Sequence, residues 1–288
     1  MRPNLVSVER GTLLLRSARF AWGARTYVMG IVNVTPDSFS GDGLEDPHAA
    51  TAHGLSQWAA GADLLDVGGE STRPGHSPVD SSVEGKRVLP VIRALRQRLP
   101  RAPISVDTYK ADVARAAHAA GADVVNSVWG ASDELLDTVA ELGVPLIATH
   151  NQHGSEYAGR NVVDAVLAFL DDCATRAILR GIDRERIVLD PGIGFGKTAD
   201  QNLAVLRDLE RLVALGFPTM LGVSRKSTIG KLTGREPRDR VYGSVAATAL
   251  AVKAGIDVVR VHDVTAARDA AAVSDAIVRD WRPPGWIG

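Results

Sequence analysis

Apolar residues along this chain fall in two rhythms. Short continuous runs, Tyr27–Val32, Leu64–Val67, Ile104–Val106, Val124–Val125, Leu146–Ala148, Ile187–Leu189, Met220–Val223 and Val258–Val261, have the length and β-branched content of buried strands. Between most of them lie Ala-, Leu- and Arg-rich stretches of helical period, such as HAATAHGLSQWAA, EGKRVLPVIRALRQRL and NVVDAVLAFLDDCATRAILR. The joins repeat as well. Gly61, Gly121, Gly181 and Gly255 each stand before a short polar step into a strand, and Gly143 and Gly216 do the same in a Gly-Val-Pro or Gly-Phe-Pro version. Glycine just past a helix is the residue that closes it in a left-handed cap. Pro145 and Pro218 then fall at a strand's first residue, where a missing N–H is tolerated.

Eight strands joined by helices through such short links read as a parallel sheet with helical crossovers. The fold class predicted is α/β, a single (β/α)8 TIM barrel with a short N-terminal β extension: residues 1–25 form a strand pair or arm closing the barrel base, and residues 26–288 form the barrel. An open doubly wound sheet is the alternative, but the Gly-x-Gly-x-x-Gly turn expected after its first strand is missing.

In a (β/α)8 barrel, chemistry gathers where the strands end. Those ends are Asn33, Asp66 with GGESTRPG, Asp107, Asn126, His150, Asp190, Ser224-Arg-Lys226-Ser227, and Arg260 with His262. All eight are polar or charged, which points to one convergent pocket. Composition narrows its chemistry. The 288 residues carry 33 Lys+Arg against 34 Asp+Glu, so there is no basic field for nucleic acid. Cys173 is the only cysteine, which excludes an intrachain disulfide and a thiolate zinc site and fits a reducing, cytoplasmic setting. The N-terminus lacks the apolar core of a signal peptide, and no apolar run reaches the ~18 residues of a membrane span. Gly196-Lys197-Thr198 looks like the tail of a phosphate-binding loop, but Pro191 stands where its first glycine belongs. His53 and His118 read as solvated helix residues, Asp66 and Glu70 as pins for the second loop, and His150 stays open.

The blocks MGIVNVTPDSFSGDG, VGGESTRPG, SVDTYK, DPGIGFGK, SRKS and RVHDV, spread over residues 26–264, resemble in sequence and order those of the dihydropteroate synthases. That family joins 6-hydroxymethyl-7,8-dihydropterin pyrophosphate to p-aminobenzoate, releasing pyrophosphate and making the folate precursor 7,8-dihydropteroate; it uses Mg²⁺, forms a homodimer and is the target of sulfonamides. The resemblance implies that Asp107, Asn126, Asp190 and Lys226 bind the pterin. It implies that Asn33, Thr72, Arg260 and His262 hold the diphosphate, with Asn33 also on the metal, and that Arg73, Pro74, Phe195, Lys226 and Ser227 form the p-aminobenzoate pocket. Asp107, Lys226, Arg260 and His262 would carry the catalysis. The residue types suit these tasks: a carboxylate accepts from the amino and ring N–H groups of a pterin, and an Asn amide can both donate and accept. Arg260 and His262 stand at i and i+2 of one strand and so share a face.

The chain departs from the family at SFSGDG in place of SFSDGG, which moves the aspartate to Asp42, at Asn126-Ser127 in place of Asn-Asp, and at Thr149-His150 in place of Met-His. These changes bear on loop closure and pterin affinity. The first loop and the GGESTRPG loop are expected to close over the diphosphate. Two rivals are a pterin-binding methyltransferase barrel, against which the Arg260/His262 pair and SRKS argue, and a pterin-binding paralogue without turnover, which Ser127 and the altered loop favour.

Overall fold

A computed structural model of the chain describes residues 10–35, 44, 46–71, 78–152, 154–157 and 159–287. Two short strands, β1 (Thr12–Leu15) and β2 (Ala18–Ala21), form an antiparallel hairpin. Eight parallel strands follow: β3 (Tyr27–Asn33), β4 (Leu64–Gly68), β5 (Ile104–Asp107), β6 (Val124–Ser127), β7 (Leu146–Thr149), β8 (Ile187–Asp190), β9 (Met220–Leu221) and β10 (Val258–Val261). They run in the order β8-β7-β6-β5-β4-β3-β10-β9. A parallel bridge between Leu189 and Thr219, with Leu189 N–H donating to the Pro218 carbonyl at 2.9 Å, joins the two ends. The result is a (β/α)8 barrel. Its helices are α1 (Pro47–Ala59), α2 (Ser81–Arg98), α3 (Ala111–Ala120), α4 (Asp133–Leu142), α5 (Val162–Leu179), α6 (Ala199–Arg207), α7 (Leu209–Val213), α8 (Ser227–Thr233), α9 (Val241–Ala254) and α10 (Val264–Val278).

The glycine joins do what their position predicts: all six have positive φ, from 63° at Gly143 to 116° at Gly121. The two strand-leading prolines enter the ladder through their carbonyls alone, Pro218 as above and Pro145 accepting from Val125 N–H at 3.0 Å.

Strand alternation divides the core in two. One set of strand residues, among them Val28, Leu65, Val106, Val125, Leu189 and Val259, packs outward against the helices. The other set, Tyr27, Met29, Leu64, Val124, Ile147, Val188, Met220 and Val258, fills the lower barrel interior together with Leu13, Leu15, Phe20 and Trp22 of the hairpin region. Phe20 lies 4.7 Å from the Tyr27 ring and 5.6 Å from that of Trp22, between centroids. The hairpin thus caps the strand starts with an aromatic plug. Two residues further along six of these strands, on the same interior face, stand Asp66, Asn126, Thr149, Asp190, Gly222 and Arg260. The barrel interior is apolar below and polar above, and the boundary is one strand period wide.

Candidate active site at the strand ends

The polar layer is built around one buried carboxylate. Asp66 is fully buried, and its Oδ2 accepts from Arg260 Nε at 2.6 Å and from Asn126 Nδ2 at 3.0 Å. Arg260 continues to Asp107, with Nη2 donating to Oδ2 at 2.8 Å. Four strands, β4, β5, β6 and β10, are tied by this chain of contacts. Asp66 therefore does not pin the second loop, as the sequence suggested; β4 turns it into the barrel, where it orients two other groups. Glu70 does hold local structure, pairing with Lys110 and accepting from the Tyr109 hydroxyl at 3.1 Å.

The Asp66 contact also fixes the Asn126 amide. With Nδ2 turned to the carboxylate, Oδ1 faces elsewhere, buried and without a partner. It is an acceptor ready for a donor that the described residues do not supply. Ser127 follows it on the opposite face of β6, so its buried hydroxyl, also without a partner among the described residues, does not share the face that Asn126 turns to the mouth.

Across the mouth, Asp190 ends β8 and accepts from Gly192 N–H at 2.7 Å. Burial pushes its carboxyl up, with Lys226 the main opposing charge. Burial likewise pushes Asp107 up to about 7; Arg260 opposes, while Asp66 and Glu84 add to the rise. For Lys226 burial acts the other way and lowers the amine to about 8, against the pull of Asp190 and Asp107. Burial also works against the Arg260 charge, but Asp66 and Asp107 outweigh it and the guanidinium stays ionised. The mouth holds three carboxylates and two cations in a desolvated setting, where charge interactions gain strength.

Lys226 reaches this setting by an unusual backbone step. Arg225 has φ of 57°, a left-handed conformation that L-residues adopt at a cost. It is held there by Ser244 Oγ on its N–H at 3.0 Å, by Arg240 Nη1 on its carbonyl at 2.9 Å and by an ion pair with Asp263. The step turns Lys226 inward, where Nζ donates to the Ile193 carbonyl and lies 4.2 Å above the Phe195 ring. Ser227 starts α8 beside it and is exposed. Gly222, just past β9, leaves the floor open: a Cβ there would stand 3.6 Å from Asp190 Oδ2 and 3.9 Å from Lys226 Nζ.

His262 lies beyond Arg260 at the rim. Its N–H donates to Ser224 Oγ at 3.2 Å, and its Nδ1 lies 3.1 Å from the same oxygen. The hydroxyl accepts from the backbone N–H, so its own proton can go to Nδ1, the tautomer that carries the ring proton on Nε2. Asn33 is the last residue of β3, half-buried at the same rim. Of the residues expected from sequence, Asn33, Asp107, Asn126, Asp190, Phe195, Lys226, Ser227, Arg260 and His262 all stand on the strand-end side of the barrel. Thr72, Arg73 and Pro74, and the first loop from Pro36 to Gly43 with its displaced Asp42, lie outside the described residues.

Sequence reasoning named Asp66 and Ser224 among the strand ends but gave neither a role in the site, and it missed Gly222. Gly222 carried a signal, since glycine at a strand end often marks close approach of a ligand. His53 was misread: Nε2 sits 3.2 Å from the Ile31 carbonyl and 3.0 Å from Gln57 Nε2, so it braces α1 on β3. His118 is exposed, with Nδ1 3.1 Å from the Ala122 carbonyl. A groove of about 770 Å³ between α2 and α3, lined by Lys86, Leu89, Pro90 and Arg93 among others, lies on the outer wall away from these groups. Among the described residues no group of three or more His, Cys, Asp or Glu could hold a metal ion.

Barrel and mouth together define a pterin-binding enzyme: the model of the family described as pterin binding enzyme matches residues 29–262. The chain is 44% identical over 267 residues to the dihydropteroate synthase of Clostridium beijerinckii, covering 91% of this chain and 98% of that one. A structure of dihydropteroate synthase from Xanthomonas albilineans in complex with 7,8-dihydropteroate superposes with a TM-score of 0.84 at 44% identity, covering 95% of this chain and 100% of that chain. One from Yersinia pestis with a sulfonamide drug complex gives 0.88 at 36% identity, covering 94% and 100%. The chain belongs to the dihydropteroate synthase family.

Proposed function

We propose that the chain condenses 6-hydroxymethyl-7,8-dihydropterin pyrophosphate with p-aminobenzoate to give 7,8-dihydropteroate and pyrophosphate. The observation that carries this reading is the orientation of the mouth. Unpartnered Asn126 Oδ1 and the buried Asp190 carboxylate offer acceptors deep in the barrel, while Arg260 and His262 offer donors toward the rim. A pterin with its donor edge down and its diphosphate up fits that polarity.

In this reading Asp190 and Asn126 accept from the pterin amino and ring N–H groups, and Lys226 donates to the ring carbonyl and nitrogen. Arg260, steered by Asp66 and Asp107, and His262 Nε2–H receive the diphosphate, with Asn33 and Thr72 as further contacts. The bond between the pterin methylene carbon and the diphosphate oxygen breaks first, and its electron pair leaves with pyrophosphate. The ring system stabilises the methylene cation. The arylamine lone pair then forms the new carbon–nitrogen bond, and the nitrogen gives up a proton. An arylamine is uncharged at neutral pH, so it needs positioning rather than a base. Phe195, Pro74 and Arg73 wall its ring, and Ser227 with Lys226 takes its carboxylate. Most of the rate comes from donors fixed in advance around the departing diphosphate.

Mg²⁺ fits the residues present. Asp66 and Asp107 are both engaged by Arg260, and among the described residues the Asn33 amide stands at the rim as an oxygen donor. A hard ion that keeps its waters and binds chiefly through phosphate oxygens asks for no more. When bound, it supplies charge neutralisation on the diphosphate. Two coarser features complete the proposal. Exposed Tyr242 and Leu250 on α9, with Val273 and Ile277 on the packed neighbour α10, support a homodimer through this pair. The single buried, free Cys173 supports a cytoplasmic location; no helix among the described residues is long and apolar enough to cross a membrane.

The test is turnover. Purified chain with the pterin pyrophosphate, Mg²⁺ and p-aminobenzoate should yield dihydropteroate, identified chromatographically and by mass. A folded chain that binds the pterin and yields none overturns the proposal.

A further inference from the structure

Lys197, set aside above as a stray piece of a phosphate-binding motif, is held in an unusual way. Its Nζ lies 2.8 Å from His150 Nδ1, 2.9 Å from the Gly192 carbonyl and 3.0 Å from the Phe195 carbonyl. Burial pulls this amine down to about 7, against the Asp190 charge; in its ammonium form it has three donors and no acceptor, so all three are used and His150 accepts at Nδ1. His150 is 2% exposed, and its ring meets Phe169 edge-on at 4.9 Å. Burial, then the Lys197 charge, lower this imidazole to about 3, so it is a neutral acceptor at any working pH.

The three contacts span two loops. His150 follows β7, while Gly192 and Phe195 belong to the turn after β8. That turn presses hard on the β7 loop: a Cβ on Gly192, at φ of 67°, would come within 1.8 Å of the His150 carbonyl. A second tie runs parallel to the first, with the Tyr157 hydroxyl donating to the Gly196 carbonyl at 2.9 Å. What the turn presents to the mouth is the Ile193 carbonyl, which receives Lys226, and the Phe195 ring beneath the same ammonium.

We propose that Lys197 is a positioning residue for the arylamine site, fixing through His150 the turn that carries the Phe195 ring. The inference rests on the reading of Phe195 as a wall of the p-aminobenzoate pocket. Asp190 is carried by the β8 ladder and Lys226 by the left-handed step at Arg225, so the pterin subsite depends less on the tie.

Steady-state kinetics of the full chain with both substrates and Mg²⁺ test it. Lys197→Met should raise KM for p-aminobenzoate about tenfold, while kcat and KM for the pterin pyrophosphate stay within about threefold. Tyr157→Phe should give the same split, about threefold, and it decides the matter if the Lys197 variant does not fold. An unchanged KM for p-aminobenzoate, or a proportional loss in all constants, overturns the inference. Phe195→Ala separates the two levels. If it leaves KM for p-aminobenzoate unchanged, the pocket reading fails; if it raises KM and Lys197→Met and Tyr157→Phe do not, the positioning role fails alone.

Discussion

Asp66 offers the sharpest perturbation of the mouth, because its two oxygens live differently. Oδ2 accepts from both Arg260 and Asn126, while Oδ1 is buried with no partner. Asp66→Asn can therefore keep both contacts. Its amide oxygen takes the place of Oδ2, and its NH2 takes the place of Oδ1, where one unsatisfied atom replaces another; only the charge is lost. Asp66→Ala removes both acceptors. The charged contact to Arg260 is worth ~1.5–3 kcal/mol and the one to Asn126 ~0.5–1.5 kcal/mol, offset in part by the loss of the unsatisfied Oδ1. A net ~2–4 kcal/mol of lost ordering, at 1.36 kcal/mol per factor of ten, corresponds to roughly 30- to 1,000-fold in kcat/KM. Continuous measurement of pyrophosphate release, with thermal melts to verify folding, should place Asp66→Asn within about tenfold of wild type and Asp66→Ala at least about 30-fold below it. Equal losses in the two variants would mean that charge alone matters. Wild-type turnover in Asp66→Ala would remove the Asp66 network from the account.

Three further outcomes are expected. Asp190→Ala should abolish calorimetric pterin binding, because the buried donor edge then has no carboxylate; unchanged affinity would mean that the pterin lies elsewhere. Lys226 acts as a cation and titrates at about 8, so kcat/KM for p-aminobenzoate should fall as pH rises through that value, and Lys226→Arg should lack this alkaline limb; a flat wild-type profile to pH ~10, near the unperturbed lysine value, would contradict the assignment. Phe20→Ala, in the aromatic plug at the opposite end of the barrel, should lower stability by ~3–5 kcal/mol in denaturant melts and leave kcat unaltered under native conditions; a changed kcat would couple base and mouth.

Much of this architecture is legible in the chain. The apolar runs and the glycine joins fix the number of strands, their parallel sense and their order. Six of the eight runs read one or two residues short at their C-terminal end, for the reason that makes them informative: Asn33, Asp107, Asn126 and Asp190 belong to the strand ladder although they are polar; Val258–Val261 matches its strand, and Met220–Val223 overruns its own by two. What the runs conceal is phase. Strands buried on both faces are apolar throughout, so alternation does not show which residue faces the barrel axis. For that reason Asp66 reads from sequence as a pin for the second loop, and Ser127 as a residue that bears on the pterin. The partnership of Lys197 with His150 joins residues 47 positions apart, and no local pattern announces it. His53 shows the same limit, since its partner carbonyl lies on a strand 22 residues earlier.

The central claim is that the mouth holds an activated pterin and transfers it to an arylamine. It is tested most directly by following pyrophosphate release from the pterin pyrophosphate and Mg²⁺ before and after p-aminobenzoate is added. The account expects almost no release beforehand, and afterwards one pyrophosphate for each dihydropteroate formed. Pterin binding with no release after addition, or release without the arylamine product, would contradict it.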